Sequence, residues 1–129
     1  RALPTPVVLD HFALWPNTAS DTSTEQSVLQ LLSEGHIYIK LSASYRQPAV
    51  NASDLQQLAH RLLQVQPERL LWGSDWPHTN RELGVHRHAV SRYRPISPSQ
   101  LREERMQWLQ TFELQHQVLV VNPAKLYRY

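Results

Sequence analysis

A carboxylate and an imidazole stand close together where one short apolar segment of this 129-residue sequence ends. The apolar run Leu70-Leu71-Trp72 is followed by the polar tip Gly73-Ser74-Asp75-Trp76-Pro77-His78. Loops that follow strands in α/β folds often carry functional residues, so Asp75 is the first candidate for a site. An Asp after a strand can equally cap a helix or form an Asx turn, and the spacing alone does not separate these roles.

The same strand-to-tip pattern occurs twice earlier in the chain. Val7-Val8-Leu9 is continuously apolar, as expected of a parallel strand covered on both faces, and it ends in Asp10-His11-Phe12. Ile37-Tyr38-Ile39-Lys40-Leu41-Ser42 opens into Ser44-Tyr45-Arg46. The sequence therefore predicts three strands, each with polar or charged side chains at its carboxyl end.

Helical periodicity separates these strands. Residues 24–34 predict a helix that presents Val28, Leu29, Leu31 and Leu32, with Gly35 as the residue that follows its end. Ser53 is a plausible N-cap of the next helix, which ends before Pro67. The order strand, helix, strand, helix, strand predicts a parallel α/β sheet with right-handed crossovers. The second helix should pack on that sheet through a one-sided stripe: Leu55, Leu58, Ala59, Leu62 and Leu63.

The last third of the sequence is less regular. Residues 79–95 predict a long loop, where His86-Arg87-His88 fits a solvated basic patch better than a metal pair. Ser97 with Pro98 predicts a helix start, and Val118-Leu119-Val120-Val121 has strand propensity while Asn122-Pro123 indicates another short helix. The stripe predicted for the helix after Ser97 comprises Leu101, Arg105, Trp108, Leu109 and Phe112.

Composition restricts the classes of function. With 41% hydrophobic residues the length suits one domain, and 13 basic against 11 acidic residues without a clustered basic face argue against nucleic-acid binding. There is no cysteine, hence no disulfide or thiolate metal site, and no apolar run long enough to span a membrane. We expect a cytoplasmic location. Because Arg1 stands in place of an initiator Met, we also expect that residues once stood upstream.

Together these motifs resemble the C-terminal part of the amidohydrolase-related family, in the branch of 2-pyrone-4,6-dicarboxylate lactonase and related lactonases. The resemblance covers most of the chain and implies that residues 1–129 form the C-terminal portion of one domain, the last three strand-helix units of a (β/α)8 TIM-like barrel. It also favours a helix over a strand at residues 118–121. The motifs that carry it are Leu9-Asp10-His11-Phe12, Lys40-Leu41-Ser42-Ala43-Ser44-Tyr45-Arg46, Trp72-Gly73-Ser74-Asp75-Trp76-Pro77-His78 and Asn122-Pro123-Ala124-Lys125-Leu126-Tyr127.

The resemblance implies a role for each tip. Asp75 matches the aspartate that activates the hydrolytic water, and His11 matches the histidine that polarises the substrate carbonyl or, in metal-using relatives, helps to bind the ion. Arg46 matches an arginine that holds a substrate carboxylate, and His78 should line the mouth of the site or orient Asp75. Tyr45 and Trp76 are further candidates for substrate contact. A base, a polarising donor and a cationic anchor are what hydrolysis of an anionic lactone requires.

The departures from the family pattern also matter. The family's His-x-His pair and first five strand-helix units are absent, and a barrel of this kind needs about 250 residues. Three strands cannot close a barrel, so we expect either a homo-oligomer or a missing N-terminal half, and no activity from this chain alone. Cofactor use stays open between none and one divalent ion such as zinc on His11 and Asp75, where zinc usually takes three protein ligands. The alternatives to a lactonase are a metal-dependent decarboxylase of the same superfamily and a non-catalytic truncated barrel module that assembles with another chain.

Overall fold

In a computed structural model the chain forms a mixed α/β fold built on three parallel strands. The structure describes residues 5–15, 22–47, 50–82, 84, 86 and 88–129. Arg87, within the predicted basic patch, lies outside the described residues. The strands are β1 (Val7–Leu9), β2 (Ile37–Leu41) and β3 (Leu70–Trp72). The α-helices are α1 (Thr22–Ser33), α2 (Ala52–Val65), α3 (Pro98–Trp108), α4 (Phe112–His116) and α5 (Asn122–Tyr127).

The sheet order is β1-β2-β3, so each strand lies beside the strand before it and the helices make the crossovers. Val7 pairs with Ile37, and Ile39 pairs with both Leu9 and Leu70. Because all three strands run in the same direction, their carboxyl ends meet at one end of the sheet. The predicted element order and the parallel pairing are confirmed.

The helices cover one face of the sheet. Alternate β2 residues, Ile37, Ile39 and Leu41, belong to the apolar core, as the period of two along a strand requires. The predicted α2 stripe is buried in full against them, and Leu32 of α1 joins the same cluster. Within the described part of the chain, no helix is long and apolar enough to cross a membrane.

Several local expectations were wrong. The N-cap of α2 is Asn51, whose side chain accepts from the backbone N–H of Asp54, and not Ser53. Leu31 faces outward with 41% of its surface exposed, because four apolar residues in α1 span more than one side of a helix. Phe112 lies beyond the end of α3 and is 77% exposed. β1 is only half-buried throughout, whereas a strand covered on both faces would be buried along its length.

The C-terminal segment is helical over residues 112–127, so the strand propensity of residues 118–121 is overridden, as the resemblance implied. The turn Gln117–Val121 is a π-helix that leads directly into α5. The position of Asn122 before Pro123 had suggested the start of a separate helix, but Asn122 lies within continuous helical backbone and caps no helix. It is fully buried and donates from Nδ2 to the carbonyl oxygens of Pro67 and Leu70, at 2.8 and 2.7 Å. This amide ties the C-terminal helix to the start of β3.

Candidate active site

All three strand tips turn through left-handed backbone conformations. Residues 11–14 after β1 all have positive φ between 47° and 58°, and Ala43 after β2 has φ 51°. Asp75 and His78 after β3 have φ 57° and 60° and flank a cis Trp76–Pro77 bond. Such conformations are costly for residues other than glycine and cluster where the surrounding fold holds functional side chains. Here they turn the tips back across the end of the sheet.

Asp75 is the centre of the resulting cluster. Tyr45 donates its hydroxyl to Oδ2 of Asp75 at 2.6 Å, and Nε of Arg46 donates to the same oxygen at 2.9 Å. Nε2 of His11 lies 3.8 Å from Oδ1, the other carboxylate oxygen. The structure thus brings together His11, Tyr45, Arg46 and Asp75 from three different strand tips.

A hydrogen-bond relay joins His78 to this carboxylate. The Tyr45 hydroxyl has one proton, and its short bond to Asp75 uses that proton. The 3.2 Å contact between the Tyr45 oxygen and Nδ1 of His78 therefore has His78 as the donor, which assigns a proton to Nδ1. The His78 side chain is nearly buried and reaches the Asp75 carboxylate only by way of Tyr45, while its backbone N–H donates to the Asp75 carbonyl oxygen at 2.8 Å.

The same contacts shift two pKa values in opposite directions. Burial raises the pKa of Asp75, but the hydrogen bonds from Tyr45 and Arg46 and the electrostatic interactions with Arg46 and His11 outweigh it, and the pKa is lowered. Burial, followed by the hydrogen bond to Asp75 and the charge of that carboxylate, raises the pKa of Tyr45 to about 12. At neutral pH Asp75 is therefore ionised and Tyr45 is a stable donor.

His11 is held from both sides. Nδ1 contacts the Ser42 hydroxyl at 3.0 Å, and Gln47 donates from Nε2 to the His11 carbonyl oxygen at 2.8 Å. The Gln47 bond holds the His11 backbone, and the Ser42 contact orients the ring so that Nε2 faces Asp75. The partner on the first ring nitrogen decides the tautomer and thereby what the second nitrogen can do.

Arg46 is committed largely to the protein. Besides its bond to Asp75, its Nη2 donates to the carbonyl oxygen and to Oγ1 of Thr79, at 3.2 and 3.1 Å. Its Nη1 takes part in none of these bonds. Arg46 therefore connects the second strand tip to the third and keeps Asp75 charged.

The residues described here do not make a zinc site by themselves. His11 and Asp75 face each other, but no group of three His, Cys, Asp or Glu side chains among the described residues could hold one ion. A catalytic zinc commonly takes three protein ligands. His86 and His88 are both exposed, with ring centroids 5.3 Å apart, and lie in the long loop after the third tip.

Trp76 is placed apart from the cluster. Its side chain is 79% exposed and lines a cavity of about 360 Å³ with Trp72, His78 and Arg105. Its contact with substrate stays a prediction.

Four further residues of the cluster had not been singled out from the sequence: Ser42, Gln47, Thr79 and Arg94. Ser42 was visible as the last residue of a predicted strand, one position from the turn. Arg94 lies sixteen residues beyond His78 in a loop without periodicity, so only the folded structure reveals it.

Comparison with known proteins connects this geometry to one family. The family model described as Amidohydrolase matches residues 1–129. The 4-sulfomuconolactone hydrolase of Rhizobium radiobacter is 31% identical over 95% of this chain and 40% of its own length. The 2-pyrone-4,6-dicarboxylate hydrolase of Comamonas testosteroni is 30% identical over 98% of this chain and 42% of its own.

Comparison with solved structures finds the same kind of protein. A crystal structure of a probable 2-pyrone-4,6-dicarboxylic acid hydrolase from Acinetobacter baumannii, with citric acid bound, has a TM-score of 0.72 and 28% identity. The match covers 96% of this chain and 44% of that one. This chain therefore spans less than half the length of the relatives that it matches.

Proposed function

This chain belongs to the amidohydrolase family, and on that premise we propose that its protein hydrolyses a lactone or similar cyclic ester that carries an acidic group. The observation that carries the proposal is the convergence on Asp75 of a fixed imidazole and a guanidinium. Support also comes from the two relatives named as lactone hydrolases, whose names specify a sulfonated and a dicarboxylated lactone.

Asp75 is proposed as the group that takes a proton from the attacking water. Its low pKa makes it a weak base, so it contributes through position and constant charge more than through basicity. The fixed geometry matters because a site that holds the water and the carbonyl in place lowers the entropy cost of bringing the two reactants together.

His11 is proposed to polarise the lactone carbonyl. This role requires the Ser42 hydroxyl to be the donor in its 3.0 Å contact with Nδ1, so that a neutral ring carries its proton on Nε2, the nitrogen that faces Asp75. A donor placed where negative charge develops on the carbonyl oxygen stabilises the transition state of acyl transfer. Arg46 is proposed to contact the substrate's acidic group through Nη1, and His78 to hold Tyr45 in its donating orientation.

We further propose that residues 1–129 are the C-terminal portion of a barrel domain, with β1, β2 and β3 as the last three barrel strands. Polypeptide beyond these residues, or a second copy of the chain, would complete the wall of the site. The half-buried β1 and the coverage of about 40% of the relatives support this arrangement. The same features support a second candidate, a non-catalytic module that buries its open strand edges against another chain.

Replacing Asp75 by Asn in the full-length protein tests the proposed reaction. The amide keeps the size of the side chain but cannot accept the proton of water, so kcat on carboxylated lactones should fall roughly 10²- to 10⁴-fold. Glu103→Gln removes an exposed carboxylate on α3 and should leave kcat unchanged. An Asp75→Asn enzyme that keeps most of its activity would refute the assignment of Asp75 as the base.

A further inference from the structure

A second arginine reaches the cluster from the long loop that follows the third strand tip. The backbone N–H of Arg94 donates to the carbonyl oxygen of His78 at 2.9 Å, which folds this loop back onto the tip. The guanidinium carbon of Arg94 lies 5.1 Å from the centroid of the Tyr45 ring. The guanidinium carbon of Arg46 lies 5.6 Å from the same centroid. Tyr45 is thus in contact with two cations, from different segments of the chain.

The two guanidinium groups differ in what they bind. Arg46 makes three hydrogen bonds to Asp75 and Thr79. Nε of Arg94 is buried and has no hydrogen-bond partner among the described residues. A buried N–H of a charged group without an acceptor is costly, and folded proteins rarely keep one without a reason. Arg94 therefore carries an unsatisfied donor against the ring of Tyr45, whose hydroxyl donates to Asp75.

The local charge balance indicates what the acceptor would be. The described ion pairs of the cluster place Asp75 with Arg46 and His11, and none of the described ion pairs includes Arg94. The positive charge of Arg94 is thus not neutralised by an acidic side chain of the described structure. A planar guanidinium matches the two oxygens of a carboxylate or sulfonate, and a pair of such bonds is stronger than one between neutral groups.

We infer that Arg94 binds an acidic group of the substrate, a carboxylate or sulfonate remote from the scissile carbonyl, and thereby selects for anionic lactones. The inference rests on the proposed lactone hydrolysis. It adds a binding residue to Arg46, and it gives the 79–95 loop a role in specificity. Stacking on Tyr45 holds the Arg94 side chain in place before substrate arrives, which reduces the entropy lost on binding.

The test uses full-length Arg94→Gln and Arg94→Lys variants with two substrates, a carboxylated lactone and the uncharged δ-valerolactone. For Arg94→Gln, KM for the carboxylated lactone should rise roughly 10- to 100-fold with kcat within about threefold, because the lost bonds join two charged groups. Turnover of δ-valerolactone should stay within about twofold, which also reports that the variant is folded. Arg94→Lys keeps the charge but not the planar guanidinium, so its KM for the carboxylated lactone should lie between those of the wild type and Arg94→Gln. Arg81→Gln replaces an exposed arginine of the same loop and is the matched control. It should leave KM and kcat unchanged for both substrates.

Failure of this inference can be separated from failure of the proposed reaction. If the wild-type protein turns over lactones, an unchanged KM in Arg94→Gln, or an equal loss on both substrates, overturns the assignment. If the wild-type protein turns over no lactone, the inference about Arg94 is tested by binding instead: calorimetry measures the affinity of both proteins for the unreactive anion propane-1,2,3-tricarboxylate. Binding that weakens at least tenfold in Arg94→Gln would keep Arg94 as an anion-binding residue without the lactonase. Equal binding by the wild type and Arg94→Gln, or no binding by the wild type, would refute the assignment of Arg94 as an anion-binding residue.

Discussion

Tyr45 sets the electrostatic state of the candidate base. Its hydroxyl bond helps to lower the pKa of Asp75, and the carboxylate in return keeps the phenol protonated. A carboxylate stabilised in this way is charged over the whole working range but accepts a proton with less driving force. In the proposed reaction the rate would therefore depend on how well His11 and the surrounding donors stabilise the developing oxyanion, more than on the strength of the base.

Replacing Tyr45 by Phe should move the acidic limb of the pH profile of kcat/KM to higher pH. The substitution removes a hydrogen bond that lowers the pKa of Asp75, so the pKa rises and activity is lost at a higher pH as the solution is acidified. At neutral pH we expect kcat/KM to fall roughly tenfold, because the loss of a contact that positions Asp75 outweighs the gain in its basicity. The profile is measured on the full-length protein with a carboxylated lactone.

Tyr93→Phe is the matched control for this change, because Tyr93 is an exposed phenol in the adjacent loop. Its pH profile should coincide with that of the wild type. An acidic limb that stays in place in Tyr45→Phe, or moves to lower pH, would show that Asp75 does not depend on this bond.

The elements of this fold differ in how far the sequence predicts them. Apolar runs and the helical stripe of α2 depend on local periodicity, so β1, β2, β3 and that helix are placed correctly. The left-handed turns at His11, Ala43 and Asp75 were not predicted, because an alanine gives no signal for positive φ, and aspartate and histidine, although enriched there, adopt it too seldom to indicate it. The convergence of the tips was expected from parallel strands, whereas the contacts of Tyr45 depend on the turns and were not.

Asn122 shows how tertiary contacts override a local pattern. Asn followed by Pro usually starts a helix, but here the π-helical turn before Asn122 already supplies helical backbone. Pro123 fits behind this widened turn because the turn does not require the backbone N–H that proline lacks. The amide is thus available for the two carbonyl oxygens at the start of β3, and Gln117 donates to its Oδ1 at 2.6 Å. A polar side chain that the sequence assigns to a helix end instead joins two elements of the core.

Asn122→Leu should lower the free energy of unfolding by about 2–4 kcal/mol. Leucine has the same branching at Cγ but is larger, so it crowds a fully buried site and also leaves the carbonyl oxygens of Pro67 and Leu70 without their donor. Chemical denaturation of the full-length protein measures the change. Lys125→Ala, on the same helix, removes only an exposed ion pair with Glu68 and should cost less than about 1 kcal/mol. Equal stability of the Asn122→Leu and wild-type proteins would mean that these bonds contribute nothing to the docking of α5.

At the scale of the whole molecule, the three strands that the structure describes form a sheet with two open edges. Among the described residues β1 and β3 each pair on one side only, and β1 is half-buried along its length. Unpaired strand edges attract other strands, so proteins usually cover them or close the sheet into a barrel. A closed barrel would also supply the side of the pocket opposite His11, Arg46 and Asp75, which these three strands do not provide.

The purified 129-residue chain should therefore show no lactonase turnover, although His11, Arg46 and Asp75 are in place. Without the remaining wall, water has free access to the carbonyl and the acidic group of the substrate lacks an enclosed pocket, so the electrostatic contacts are screened. Sedimentation should reveal self-association through the open strand edges, whereas the full-length protein, measured in parallel, should be monodisperse and active. Turnover by a monomer would show that three strands suffice for the site. Turnover that rises with the square of the chain concentration would instead assign the missing wall to a second copy, because only assembled chains would then be competent.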